Sequence, residues 1–327
     1  METLIQIGIG WIISLQSLGG WLEAPMQFFT FLGSENFFYL VLPLIYWSID
    51  SALGLRVGFI LVTSATLNSV IKLWFADPRP YWVSDKVIPF SAENSFGVPS
   101  GHAQNAVSVW GIIASSIRKP WAWVMAVVII LFVGFSRWYL GMHFVHDGVL
   151  GWVIGIIVLW LFIRFSDAVV AWFKGQNFRS QILLAFIASL VLVGLGWLSV
   201  LPLEGYTFPA EWRENALRAG PLPDPVSMEG FVSSAGTLFG LTVGVGWLAS
   251  RGGYQTEGSV VKRALRYVVG LIGVILFLRG LDVIFPAGED FVGFFFRYVR
   301  YGVVGFWISA GAPFLFFHFK LARQPKM

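Results

Sequence analysis

The sequence predicts an all-α, polytopic transmembrane helical bundle of about nine to ten spans. Three observations predict it: apolar stretches of bilayer length recur down the chain, charged residues are scarce, and the remaining charges gather in the connections. Of 327 residues, 57% are hydrophobic and only 12% charged, with a mean hydropathy of +0.73. A soluble domain carries about 25% charged residues. A hydrocarbon core of about 30 Å asks for roughly 20 apolar residues per helix, and one soluble core cannot hide so many such segments. The 16 tryptophans and 31 phenylalanines suit a chain whose aromatic rings settle at the headgroup boundary.

Taken in order, residues 1–22 are apolar but interrupted by Gln6, Ser14, Gln16, Ser17 and several glycines, which fits either an interfacial helix or a short span. Spans are expected at about 26–49, 53–73, 102–118, 121–140 and 148–166. After a polar segment four more follow, at about 181–202, 230–250, 266–285 and 292–318. The chain therefore divides near residue 175, into a first part (1–175) and a four-helix remainder (176–327).

The connections carry a charge pattern. Arg118 and Lys119 share one loop, Arg164, Lys174 and Arg179 another, Arg251, Lys262, Arg263 and Arg266 a third, and Lys320, Arg323 and Lys326 close the chain. Alternating with these are acidic or balanced loops, 203–229 with five carboxylates against Arg213 and Arg218, and 286–291 with Glu289 and Asp290. Lys and Arg accumulate on the cytoplasmic side, so the 74–101 loop and the 136–147 segment are expected on the opposite face. The absence of cysteine excludes disulfides, thiolate metal sites and cysteine nucleophiles. A formal charge of +4 without a dense basic block argues against nucleic acid as a partner. The N-terminus lacks the charged region and cleavage site of a signal peptide.

Three strings carry chemistry. In Lys72-Leu73-Trp74-Phe75-Ala76-Asp77-Pro78-Arg79-Pro80 the prolines stop the helix near Ala76 and place Arg79 in a stiff turn. An ammonium and a guanidinium there suit a phosphate, although basic residues at a span end also snorkel to headgroups. Pro99-Ser100-Gly101-His102 reads as a helix start, whose free N–H groups favour an anion and whose glycine admits close approach. In Ser136-Arg137-x5-His143-x3-Asp147, the last two residues are four apart, so on a helix they share a face and the carboxylate can orient the imidazole. An ionisable cluster at a span boundary of so apolar a chain is a functional site by default.

These strings resemble, in order and internal spacing, the three signature motifs of the type 2 phosphatidic acid phosphatase superfamily, over about residues 25–170. The resemblance implies a six-helix catalytic core of that family within 1–175, followed by a helical extension at 176–327. It implies that His143 attacks phosphorus to give a phosphohistidine, that Asp147 orients it, and that His102 protonates the leaving group. Lys72, Arg79 and Arg137 would hold the phosphoryl oxygens with Ser100 and Gly101, without metal or other cofactor.

The expected activity is hydrolysis of a lipid phosphate monoester, or of a polyprenyl or other lipid diphosphate, in a bacterial inner or plasma membrane with the site on the non-cytoplasmic face. The alternatives are a phosphotransferase with an acceptor other than water, and a lipid transporter with a vestigial site. In the second half, Arg279, Asp282, Glu289 and Asp290 are expected to salt-bridge among themselves, or Arg279, Arg297 and Arg300 to form a secondary headgroup or diphosphate site. Trp82, Phe90 and Phe96, in the spacer between the first two motifs, would touch lipid or anchor the loop.

Overall fold

The computed structural model describes residues 2–323, whose regular elements are all helical, with no strand among the described residues. The helices are α1 (Glu2–Gln16), α2 (Glu23–Phe31), α3 (Glu35–Leu44), α4 (Ser51–Phe75), α5 (Pro80–Val83), α6 (Gly101–Ile117), α7 (Pro120–Tyr139), α8 (Val145–Lys174), α9 (Phe178–Val200), α10 (Ala210–Leu217), α11 (Glu229–Ala249), α12 (Val260–Ile284), α13 (Phe291–Phe306) and α14 (Ala312–His318).

The chain is a multi-span membrane protein, with fewer full-length crossings than the hydropathy suggests. Seven helical segments are long and apolar enough to cross a bilayer, or eight if the bent N-terminal pair is one span. Two local reasons account for the difference. The stretch expected as one helix over 26–49 breaks after Phe31, resumes as α3 with Pro43 inside it, and ends in a π-helical turn at Ile45–Ile49. The stretch at 102–118 becomes the 17-residue α6, whose buried face includes Gln104, Asn105 and Ser108. At the N-terminus, the helical segments Thr3–Gln16 and Gly20–Phe31 meet at 87°. The corner is Gly19, whose φ of 103° suits only glycine.

Packing groups the chain into two compact units. The first comprises the residues up to Phe38, Thr63–Phe162 and Leu198–Ser227; the second comprises Tyr39–Val62, Ile163–Trp197 and the residues from Met228 onward.

In the first unit, α8 lies directly on the start of α6. A Cβ at Gly151 would stand 2.6 Å from the Ser100 carbonyl oxygen, and one at Gly155 2.8 Å from that of Gln104. Small residues at this spacing let helix backbones approach closely. A buried polar network ties α6 to α4: Asn68 Nδ2 donates to Gln104 Oε1 (2.9 Å), Gln104 Nε2 to the Ser64 carbonyl (2.8 Å) and Ser64 Oγ to Asn105 Oδ1 (2.8 Å). The 81–96 stretch is anchored rather than lipid-facing at both ends, since Trp82 in α5 and Phe96 in the spacer before α6 are fully buried. Trp82 packs edge-on against Phe208 (5.0 Å) and stacks on Trp212 (6.3 Å), Phe96 meets Tyr206 (5.5 Å), and Phe90 stacks on Tyr139 (5.8 Å). Asn215 Nδ2 donates to the Trp82 carbonyl (3.2 Å) and Arg218 Nη1 to that of Asp85 (2.8 Å). The segment carrying α10 thus roofs the 81–96 loop.

The second unit is built on the pair α11 and α13, joined along glycines. A Cβ at Gly240 would fall 1.9 Å from the Gly302 carbonyl oxygen, and one at Gly236 2.4 Å from that of Tyr298. Gly240→Ala is therefore expected to lower the thermal midpoint of the purified protein, at a cost of about 1–3 kcal/mol or more. Gly230→Ala, where nothing lies within 4 Å, is the control, and equal midpoints for the two variants would contradict the packing.

Two π-helical turns, Ile45–Ile49 and Trp307–Gly311, face each other in this unit. The widened turn leaves carbonyls free, and Tyr46 Oη donates to that of Ser309 (2.7 Å) and Trp47 Nε1 to that of Ile308 (2.9 Å). Arg266 is fully buried, with the Leu321, Thr256, Glu257 and Trp47 carbonyls accepting from its guanidinium. The second-half cations pair differently from the sequence expectation: Arg297 with Glu229, and Arg300 with Asp282. Arg279 is exposed on α12.

Candidate active site

Proline sets the geometry of the first motif. Helix α4 ends at Phe75, Ala76 takes a φ of 48°, and Arg79 stands in extended backbone before Pro80 opens α5. Lys72, in the last turn of α4, points at the spacer, where its Nζ donates to the Phe96 carbonyl. Arg79 is 1% exposed and highly constrained. Its Nε donates to the Ser95 carbonyl (2.6 Å), Nη2 to Ser95 Oγ (3.0 Å) and Nη1 to the Met142 carbonyl (3.1 Å), and Nη1 also lies 3.2 Å from His143 Nε2.

The second motif behaves as a helix start. Ser100 is the N-cap of α6 and its Oγ accepts from the Ala103 N–H (3.4 Å). Gly101 packs so closely that a Cβ there would be 3.0 Å from Asn68 Oδ1. His102 follows in the first turn, with Arg137, Glu93, Arg79 and Lys72 as its charged neighbours.

The third motif departs from the sequence expectation in one respect. His143 and Asp147 do not share a helix face, because His143 lies in the connection before α8 begins at Val145. They meet all the same, with His143 Nδ1 3.2 Å from Asp147 Oδ2. The same oxygen accepts from the Phe144 N–H at 2.9 Å. This is the reach-back of an N3 carboxylate to the residue capping its helix, and it fixes Asp147 before the imidazole is considered. The backbone adds a tie, the Ser100 N–H donating to the Asp147 carbonyl (2.9 Å). His146 Nε2 lies 3.0 Å from Asp147 Oδ1 but is half exposed and stacks on Phe144. Arg137, on the last turn of α7, is 3% exposed. Its Nη1 donates to Thr30 Oγ1 (2.8 Å), its Nη2 to Glu93 Oε1, and its Nε is buried without a partner.

The three strings, dispersed over 76 positions of sequence from Lys72 to Asp147, are brought together in the first unit. Arg279, Arg297 and Arg300 belong to the second. Sequence reasoning missed two members of the cluster, Thr30 and Glu93. Glu93 shares the spacer between α5 and α6 with Asp85, and no local signal marked it out. Among the described residues, no group of three or more His, Asp or Glu is placed to hold a metal ion.

The electrostatics favour a neutral imidazole on His143. Burial, followed by the charges of Arg79, Lys72 and Arg137, pushes the His143 imidazole well below its usual range. A neutral ring with Nδ1 against a carboxylate keeps a lone pair on Nε2. Protonation of a group with a depressed pKa is deferred to lower pH. The acidic limb of kcat/KM is therefore expected below about 6.5, measured with a substrate whose own ionisation has been titrated separately. A limb centred at the ordinary imidazole value would contradict this reading.

A buried histidine braced by a carboxylate, facing a guanidinium and set among further cations in a helical membrane bundle, is equipment for phosphoryl transfer. Residues 53–171 match the PAP2 superfamily, and residues 232–324 match the PAP2 superfamily phosphatase, transmembrane extension. The chain is 33% identical over 165 residues to phosphatidylglycerophosphatase B of Bacillus subtilis, covering 46% of this chain and 77% of that one. It is 30% identical over 186 residues to glucose-6-phosphatase 3 of Rattus norvegicus, covering 49% and 54% of the two chains. With glucose-6-phosphatase catalytic subunit 1 of Felis catus it shares 29% identity over 242 residues, covering 63% and 65%. The chain thus spans just over half and just under two thirds of these two relatives. The crystal structure of the transmembrane PAP2-type phosphatidylglycerolphosphate phosphatase from Bacillus subtilis aligns at a TM-score of 0.43 with 30% identity, over 50% of this chain and 87% of that one. The chain belongs to the PAP2 superfamily. It is a membrane phosphatase, a hydrolase of phosphoric esters.

Proposed function

We propose that this protein hydrolyses a lipid phosphate monoester or a lipid diphosphate through a phosphohistidine on His143, without a metal ion, from the non-cytoplasmic face of the membrane. One observation carries the mechanism: His143 has Asp147 at 3.2 Å on Nδ1 and Arg79 at 3.2 Å on Nε2. The attacking nitrogen therefore already faces a group that holds phosphoryl oxygens. Nε2 forms the bond to phosphorus while the bond to the leaving oxygen breaks, and His102 delivers the proton to that oxygen. Lys72, Arg79 and Arg137, with the first turn of α6 at Ser100 and Gly101, carry the charge on the equatorial oxygens. Water activated by His102 then cleaves the P–N bond.

The working parts all come from 1–175, and 176–327 serves as a helical extension that lends the α10 roof. Sidedness rests on the loop charges, and the packing of the 206–218 segment on the 82–96 loop agrees with both lying on one face. The lipid assignment draws on the similarity to phosphatidylglycerophosphatase B, of which this chain covers 77%. A second reading, a water-soluble sugar phosphate as substrate, is favoured by the longer alignment with a glucose-6-phosphatase, over 63% of this chain. Free phosphate released from vesicle-borne lipid phosphates and diphosphates, compared with glucose 6-phosphate under chelator, separates the readings. Turnover of the sugar phosphate alone would sink the lipid assignment, and dependence on added metal would sink the mechanism.

A further inference from the structure

Glu93 has no part in the chemistry above, yet its carboxylate sits in the middle of the cationic cluster. Oε1 accepts from Arg137 Nη2, and Oε2 lies 3.8 Å from Arg79 Nη2. These are the two guanidiniums assigned to the phosphoryl oxygens, and a carboxylate offers a guanidinium the same pair of acceptors that a phosphoryl group does.

The three side chains differ in their freedom to move. Arg79 and Arg137 are 1% and 3% exposed, and Ser95, the Met142 carbonyl and Thr30 hold them from behind. The Glu93 side chain is 26% exposed. It belongs to the irregular stretch between α5 and α6, with its backbone N–H held by Tyr81 Oη at 3.2 Å. Glu93 is therefore the most exposed of the three side chains, on a backbone tied at its N–H. Arg137 Nε remains buried without an acceptor, a donor that this carboxylate leaves unused. Burial opposes the Glu93 charge, but Arg137 and Arg79 outweigh it and hold the carboxyl well below the usual carboxylate range.

We propose that Glu93 is an internal competitor for the phosphate clamp: its carboxylate fills the Arg137–Arg79 fork when no substrate is bound and swings outward when a phosphoryl group enters. It thereby weakens the hold on every phosphate-bearing ligand and hastens the departure of inorganic phosphate. The proposal rests on the reading of Lys72, Arg79 and Arg137 as a phosphate clamp.

The test is inhibition of the purified full-length protein by inorganic phosphate. Glu93→Gln keeps the shape and removes the charge. It is expected to lower the inhibition constant about tenfold or more, the scale of one charge-assisted hydrogen bond, and to lower kcat as product release slows. An inhibition constant that is unchanged or higher overturns the proposal, because a carboxylate that only braces the two arginines would weaken phosphate binding when neutralised. If Glu93→Gln does not fold, Glu93→Asp decides: its shorter reach should also lower the inhibition constant, and an unchanged or raised value overturns the idea. Wild-type protein that turns over substrate without being inhibited by inorganic phosphate would remove the clamp reading, and this proposal with it.

Discussion

Replacing His143 by alanine is expected to reduce phosphate release by about four to six orders of magnitude, the scale seen when a nucleophile acting within a concerted unit is removed. His143 is 2% exposed and has Asp147 and Arg79 on its two ring nitrogens, so no neighbouring side chain can take its place without moving. Wild-type protein quenched during turnover of radiolabelled substrate should carry acid-labile, base-stable phosphate, and His143→Ala should carry none. Its fold should survive, because the capping contact from Asp147 to the Phe144 N–H does not involve the imidazole. Activity within about tenfold of wild type would assign the nucleophile elsewhere, and a labelled protein would do the same.

Arg79→Lys is expected to lower kcat/KM by about two to three orders of magnitude, the loss that follows removal of one preorganised transition-state donor. The charge is retained, so the loss isolates geometry. Arg79 uses Nε and Nη2 on Ser95 and Nη1 on the Met142 carbonyl, which aims the plane of the guanidinium. A lysine has one rotatable point charge and no such plane. It would leave the Ser95 and Met142 acceptors short of donors in a buried place. Substrate KM and kcat should both suffer, in contrast to a snorkelling arginine, whose replacement by lysine would be silent. Kinetics equal to wild type would return Arg79 to that structural role.

Much of the site was legible in the sequence because its chemistry is local. Pro78 and Pro80 end α4 and set Arg79, Ser100 caps α6, and the His143–Asp147 spacing brings the two side chains together. The helix-face argument for that last pair was the wrong geometry for the right contact: the carboxylate reaches backward across a helix start. What stayed hidden was tertiary. Nothing in the local pattern around Thr30 or Glu93 announces that they meet Arg137, since Thr30 lies in α2 and Glu93 in the irregular stretch before α6, and only packing brings either near α7. The expected spans outnumber the long apolar helical segments for a related reason. Hydropathy averages over a window, so it passes over a break such as the one after Phe31, and it scores the apolar residues of α6 without seeing that its polar face is buried against α4.

The roof over the catalytic loop has a bearing on how the molecule is made. Trp82 and Phe96 are covered by Phe208, Trp212 and Tyr206, which emerge from the ribosome more than a hundred residues later. All the groups assigned to the reaction have been synthesised by Asp147, yet two large aromatic rings beside them stay uncovered until α9 and the segment after it have been made. A nascent chain halted near residue 175 would present the 81–96 loop with that apolar surface bare. The cover of these two rings is thus the last part of this packing to be synthesised, and a severed extension supplied as a separate polypeptide would have to bring it back.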